Sequence, residues 1–265
     1  MVLVSQDLVY YHLRSSKLRT IFELLESDSE VQTLLKMSNV MAVNRLHYND
    51  HGPVHSRIVS GSALEIFNNT VDTITPSIVE DKVGDINDAR IVVLCGAYLH
   101  DIGNAVHREN HYIHGVLLAN GILTRLLQKI YSNDLERSIR IKSETLHSIY
   151  AHQEGVRCLS TEAGIAKIAD GTDMAQGRAR IPYQIGKVDI HSLSALSIKS
   201  VEILKGKKQP IQIIVNMDNP SGVFQIEGIL QEKIETSGIE DKVEVVAIVN
   251  DQELKRLRFD KATII

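Results

Sequence analysis

The sequence predicts a mainly α-helical protein, a helical bundle followed by a small α/β unit. Three observations carry that prediction. Apolar residues recur at helical spacing in separate segments up to about residue 190. Turn and breaker residues such as Asn49–Pro53, Gly103, Gly155 and Pro182 stand between them. Beyond about residue 190 the pattern changes to runs rich in Ile and Val with partial alternation, the signature of strands. The boundary divides the chain into residues 1–190 and 191–265.

Each element has its own local reason. Val31–Val43 is a periodic apolar segment. Asn49-Asp50-His51-Gly52-Pro53 is turn chemistry, and Pro53 suits the first position of a helix running to about Phe67. A looser stretch with Pro76 and Gly84 follows. Ala89–Asp101 reads as a strongly apolar helix stopped at Gly103. His111–Tyr131 is another helix with an apolar face. Asn133 is a candidate cap for the next, which runs to about Gln153 and ends at Gly155. Ser160 is placed to cap a helix through about Met174, before Gly177 and Pro182 break the pattern. Leu196–Leu204, Pro210–Val215 and Val243–Val249 read as strands, and Gly222–Ser237 as a helix ended by Gly238. The order β-β-α-β describes a small α/β appendage.

Bulk properties narrow the function. The chain has 265 residues, 43% of them hydrophobic, which suits one large or two modest domains. A formal net charge of −4 gives no basic excess, so neither a broad nucleic-acid surface nor a membrane surface is indicated. Of the two cysteines, Cys95 sits in the apolar run Ile91–Leu99 and reads as a buried thiol; their separation fits no metal-binding spacing. No stretch approaches the roughly 20 apolar residues that span a bilayer. Met1–Tyr10 carries Asp7 and lacks a basic start, so no signal peptide is expected and a cytoplasmic location is.

Histidine is the compositional oddity. Eleven occur, and nine of them fall between His47 and His152. His100-Asp101 ends an apolar helix, where an imidazole and a carboxylate are costly to bury without compensation. A divalent metal compensates both at once; capping of the helix end is the plainer alternative. His55 lies upstream, early in its helix. His111 and His114, then His147 and His152, lie on the two helices downstream, and Asp170 ends the apolar segment Ile165–Ala169. Mixed imidazole and carboxylate donors suit Mn, Fe, Zn or Mg centres better than a thiolate site.

The ordered set His55, His100-Asp101, Asp170 resembles the HD superfamily of metal-dependent phosphohydrolases. Leu99-His100-Asp101-Ile102-Gly103 is similar to the family's most recognisable segment. His55 with Arg57, Val59 and Ala63 looks like its first-histidine helix. Lys167-Ile168-Ala169-Asp170, with Gly177-Arg178 after it, looks like its last segment. The resemblance covers roughly residues 45–185; the C-terminal part matches nothing.

It implies an HD-type helical bundle around one or two divalent ions (Mn, Fe, Mg, Ni, Co or Zn). His55, His100, Asp101 and Asp170 would be ligands, with Asp101 bridging. His111 (or its rival His114) and His152 (or His147) would serve a second ion. The spacing of His51 and His55 resembles the cyclic-nucleotide phosphodiesterase branch, which makes His51 the candidate general acid beside Asp101 in the catalytic set. Hydroxide generated at the metals would attack phosphorus in line with the leaving oxygen. Arg178 and Arg180 are candidates to fork onto a substrate phosphate. Asp173, one turn beyond Asp170, is placed with them at the substrate pocket, or as the hydrogen-bond partner of a ligand histidine.

Asn104 stands where a cyclic-dinucleotide branch carries lysine, and that branch's Gly-Tyr-Pro signature is missing after His152, so that activity is not expected. The expected function is hydrolysis of a nucleotide or another small phosphomonoester or phosphodiester. An HD-like di-iron oxygenase and a non-catalytic metal- or ligand-sensing module are the alternatives. The expected partner is a small phosphorylated substrate. A homodimer or higher oligomer is expected because strand edges need covering.

Overall fold

The computed structural model describes residues 2–175 and 190–261. The bundle is made of α1 (Leu8–His12), α2 (Ser16–Ser27), α3 (Ser29–Asn39), α4 (Pro53–Thr70), α5 (Ser77–Glu80), α6 (Ile86–Leu99), α7 (His111–Ile130), α8 (Leu135–Ala151) and α9 (Thr161–Thr172). After α10 (Ile190–Leu196) come β2 (Ile198–Lys205) and β3 (Ile211–Met217), then a helical run α11 from Val223 to Glu235, then β4 (Val243–Val249) and β5 (Gln252–Arg258). The mainly α class with a small C-terminal sheet is therefore what the sequence indicates.

Two helices form the centre. α6 is buried from Ile91 through Leu99 on every side, so its apolar residues need no amphipathic spacing. Its start lies three residues earlier than the apolar run alone suggests. Asp85 accepts from the Asn87 and Asp88 backbones while Asp88 reaches back to the Asp85 N–H, a capping box that extends the helix N-terminally. α4 packs beside it, opened by Pro53 in its first turn as the sequence indicates. The cap of α8 differs: Asp134, not Asn133, accepts from the Arg137 N–H. Ser160 caps α9 as expected, taking the Ala163 N–H at 3.3 Å.

The sheet holds five strands in the order β1-β2-β3-β4-β5, where β1 is Val2–Leu3. β2–β3 and β4–β5 are antiparallel; β3 and β4 are parallel, joined by the α11 crossover. Neither β1 nor β5 is visible in the hydrophobic pattern. β5 reads Gln-Glu-Leu-Lys-Arg-Leu-Arg and becomes a strand because Arg256 and Arg258 grip Glu244 on β4, at 3.0 and 2.9 Å. One cluster of buried apolar side chains runs from Val9 in α1 to Ala247 in β4, so sheet and bundle share a core. Among the described residues no helix is long and apolar enough to cross a membrane.

Candidate metal centre

Four helices and one turn meet at the carboxyl end of α6. Just before α4, Asn39 and Asp50 form a latch. Asn39 Oδ1 accepts from the His51 N–H at 2.8 Å, and Asp50 Oδ2 accepts from the His55 N–H at 3.0 Å. Asp50 thus caps α4 in place of Gly52, which has no side chain to do so. The latch fixes His51 outside the helix and His55 on its first turn, both buried.

At the other side, the chain leaves α6 through a 3-10 turn, Ile102–Ala105. A β-carbon on Gly103 would lie 1.9 Å from the His111 carbonyl oxygen and 2.4 Å from the Gly115 nitrogen. Only glycine permits this approach, and the approach is what sets His111 beside Asp101.

The side chains fall into two groups that share Asp101. In the first, the His55 and His100 Nε2 atoms are 3.2 Å apart. Asp101 Oδ2 lies 3.4 and 3.3 Å from them, and Asp170 Oδ1 lies 3.2 and 3.6 Å from them. In the second, the His111 and His152 Nε2 atoms are 3.0 Å apart, with Asp101 Oδ1 at 3.6 and 3.8 Å. His51 Nδ1 contacts Asp101 Oδ2 at 2.5 Å. The ligand-capable atoms of His51–His55–Asp101, of His55–His100–Asp170 and of Asp101–His111–His152 each lie within 4.8 Å of one another.

The ring orientations say what the groups are for. His100 Nδ1 donates to the Ala97 carbonyl at 2.8 Å, His111 Nδ1 to that of Arg108 at 3.0 Å, and His152 Nδ1 to that of Ile149 at 2.5 Å. A carbonyl only accepts, so each Nδ1 carries a hydrogen and each ring turns its Nε2 inward. His55 Nδ1 likewise donates to Asp173 Oδ2 at 2.6 Å. Between the neutral His111 and His152 rings, Nε2 lone pairs thus face each other across 3.0 Å, which is repulsive unless a cation lies between them.

Electrostatics agree. Burial pushes the His111 imidazole down to about 4 and holds His152 well below its ordinary value, so both are neutral. Burial also opposes charge on His100, but the Asp101 and Asp170 carboxylates outweigh it and hold that imidazole at about 9. Burial works against the charged forms of Asp101 and Asp170 too. Imidazolium neighbours overcome it for Asp101, and Lys233 with His100 for Asp170, so both stay well below the usual carboxylate range. In the first group a proton takes the place that a metal fits. The second group has no such substitute. Donor atoms around one ion at 2.0–2.2 Å are separated by about 3.0–3.5 Å, close to the spacings found here. The residues present fit divalent cations, which His55, His100, Asp101 and Asp170, and Asp101, His111 and His152, could hold.

Among the sequence candidates, His51, His55, His100, Asp101, His111, His152, Asp170 and Asp173 come together. The rivals do not join them: His147 Nε2 accepts from the Leu159 N–H at 3.1 Å, and His114 is absent from both groups. Asp173 sits on His55 Nδ1, as a ligand partner would. Arg178 and Arg180 lie outside the described residues. Three further groups reach the centre. Asn104 Nδ2 donates to Asp101 Oδ1 at 2.9 Å. Arg108 Nη1 lies 4.0 Å from that same oxygen, on a side chain 36% exposed. Lys233 Nζ donates to Asp170 Oδ2 at 2.8 Å.

A family model, the HD domain, matches residues 65–175, a span that holds His100, Asp101, His111, His152 and Asp170. A protein of Methanocaldococcus jannaschii described as uncharacterized is 45% identical over 247 residues, covering 93% of each chain. The chain belongs to the HD-domain family. The HD match begins after His51 and His55, so these two enter the site on geometry, not on the match. No solved structure matches significantly. The HD superfamily is one of metal-dependent phosphohydrolases, and the His–Asp groups described above are compatible with its metal site.

Proposed function

We propose that this HD-domain protein hydrolyses a phosphoester, a nucleotide or another small phosphomonoester or phosphodiester, at a dinuclear metal centre. The observation that carries the reading is Asp101, buried, with one carboxylate oxygen toward each of two histidine pairs. We read His55, His100, Asp101 and Asp170 as the holders of one ion, and His111, His152 and Asp101 as the holders of the other. Divalent ions bound there supply Lewis acidity and a nucleophilic water at neutral pH.

The protein's own groups do the rest. The backbone carbonyls of Ala97, Arg108 and Ile149 fix the ring tautomers, and Asp173 does the same for His55. Asn104 holds the Asp101 carboxylate by its Oδ1. His51, oriented through Asp101 Oδ2, gives the departing oxygen its proton. Arg108 at the rim, with Arg178 and Arg180, takes the phosphoryl oxygens. In this reading residues 1–190 carry the chemistry and residues 191–265 support it.

The test is a panel of nucleotides, phosphomonoesters and phosphodiesters with Mn, Mg, Co, Ni and Fe. Wild type is expected to cleave at least one, and the His100→Ala, Asp101→Ala double variant none. Cleavage that survives in the double variant overturns the reading. Oxygen uptake by the iron-loaded protein, without ester cleavage, would favour oxygenase chemistry instead.

A further inference from the structure

Among the described residues, one side chain from outside the bundle reaches the metal centre. Lys233, on α11, is 63 residues from Asp170, and its ammonium is buried with the side chain 8% exposed. Nζ donates to Asp170 Oδ2 at 2.8 Å. Among the described residues the other carboxylate on it is Glu154, whose Oε1 is 3.9 Å away on an exposed side chain. The Asp170 carboxylate is thus divided: Oδ2 belongs to Lys233, and Oδ1 faces His55 and His100.

The backbone is shaped for this contact. Gly164 and Gly171 lie seven residues apart on one side of α9. A β-carbon at Gly171 would be 2.8 Å from Leu230 Cδ1 and 3.2 Å from Lys233 Cδ; one at Gly164 would be 2.3 Å from the Ser237 carbonyl oxygen. The missing side chains let residues 230–237 lie directly on the helix that bears Asp170. The Cys158 N–H donates to the Thr236 carbonyl at 2.9 Å and ties the same segment to the approach of α9.

We propose that Lys233 is a positioning residue of the metal centre, delivered to it by the α/β unit, and that it aims Asp170 Oδ1 at the His55–His100 pair. This rests on the reading of that pair as a metal site. Two effects oppose each other. A fixed ammonium repels an incoming cation, yet without it Asp170 keeps a buried, unpartnered oxygen and is free to rotate or to close both oxygens on one ion. Lysine is also a compact donor that holds one oxygen and leaves the other available, where the arginine fork tends to take both.

The experiment is a Co(II) titration of purified full-length chain followed by visible absorption. It compares wild type, Lys233→Met, Lys233→Arg, Asp170→Asn and the Lys233→Met, Asp170→Asn pair, with circular dichroism to confirm folding. Loss of a group that orients a ligand typically weakens metal binding about 10- to 100-fold. Lys233→Met is expected to weaken one of two cobalt equivalents by about 10-fold or more, with an altered absorption band, and Lys233→Arg, whose fork takes both oxygens, to restore little of the loss. In the Asp170→Asn background the lysine substitution is expected to cost nothing further.

Unchanged or tighter binding by Lys233→Met, or an equal loss in the Asp170→Asn background, overturns the proposal. If Lys233→Met does not fold, Lys233→Gln, which keeps a donor without the charge, is titrated in its place. Wild type that takes up no cobalt sinks the metal-centre reading itself. Cobalt uptake that ignores Lys233 leaves that reading standing and removes only this inference.

Discussion

Asn39 holds His51 by its backbone and Asp101 holds it by its ring. If it delivers the leaving-group proton, His51→Ala should lower kcat about 10²- to 10⁴-fold for esters of alkyl alcohols and far less for a nitrophenyl ester, which leaves unaided. Steady-state rates on matched esters, with metal content measured alongside, check this; equal losses on both would falsify the role. At this scale the site was readable where its chemistry is local. His100-Asp101 and Asp170 end apolar helices, and buried polar groups in such places need a reason. The choice of His111 over His114 and of His152 over His147 was open in sequence, since each pair sits within a turn or two of one helix. Packing sets the members of each pair apart: Gly103 lets the His111 turn approach, while His147 is spent on the Leu159 N–H. Lys233 and Arg108 had no signal. A lone lysine in a helix and an arginine in a loop look like surface residues until long-range contacts place them.

Among the elements, the turn between α6 and α7 is the most exacting. Gly103→Ala adds one methyl group where the His111 carbonyl and Gly115 nitrogen already are. The α7 helix must move, at a cost of about 1–3 kcal/mol, and His111 moves with it. Urea denaturation should show that loss, and cobalt binding should fall by an ion. Asp85→Ala removes the α6 capping box, whose typical worth is ~1 kcal/mol, and leaves Arg137 with Asp88 alone; a shifted urea midpoint at unchanged slope checks it. Helices were legible in sequence because apolar period and caps are local signals. Their ends were less so: α6 starts early because Asp85 and Asp88 cap each other, and α8 takes Asp134 because its side chain, not Asn133's, meets the Arg137 N–H. β1 and β5 left no trace, one being two residues long and the other charged along its length. Both are strands by virtue of what they pair with.

For the molecule as a whole, metal and fold are linked. Ions that bind only the folded chain stabilise it by about 2.7 kcal/mol at a hundred times their Kd, so a chelator should lower the thermal midpoint reversibly, and added Mn(II) or Co(II) should restore it. The chelated protein should also lose stability as pH falls from 6.5 toward 4. His111 has a folded value of about 4 and His152 one well below its ordinary 6.5, so in that window the unfolded chain binds more protons. For His111 alone this is on the order of 3 kcal/mol. His100 acts in the other direction: held at about 9 when folded, it stabilises fully below 6.5 and loses that contribution as pH rises toward 9. The chelated protein should therefore be most stable near pH 6.5, and urea midpoints across pH 4–9 check it. The sheet bears on assembly. Its outermost strand carries Glu253, Lys255, Arg256 and Arg258, and its opposite border is the two-residue β1. Neither rim offers a neighbour a long uncharged ladder to continue, so any oligomer must be sewn together along its helices, and the strand borders work as fences against runaway stacking.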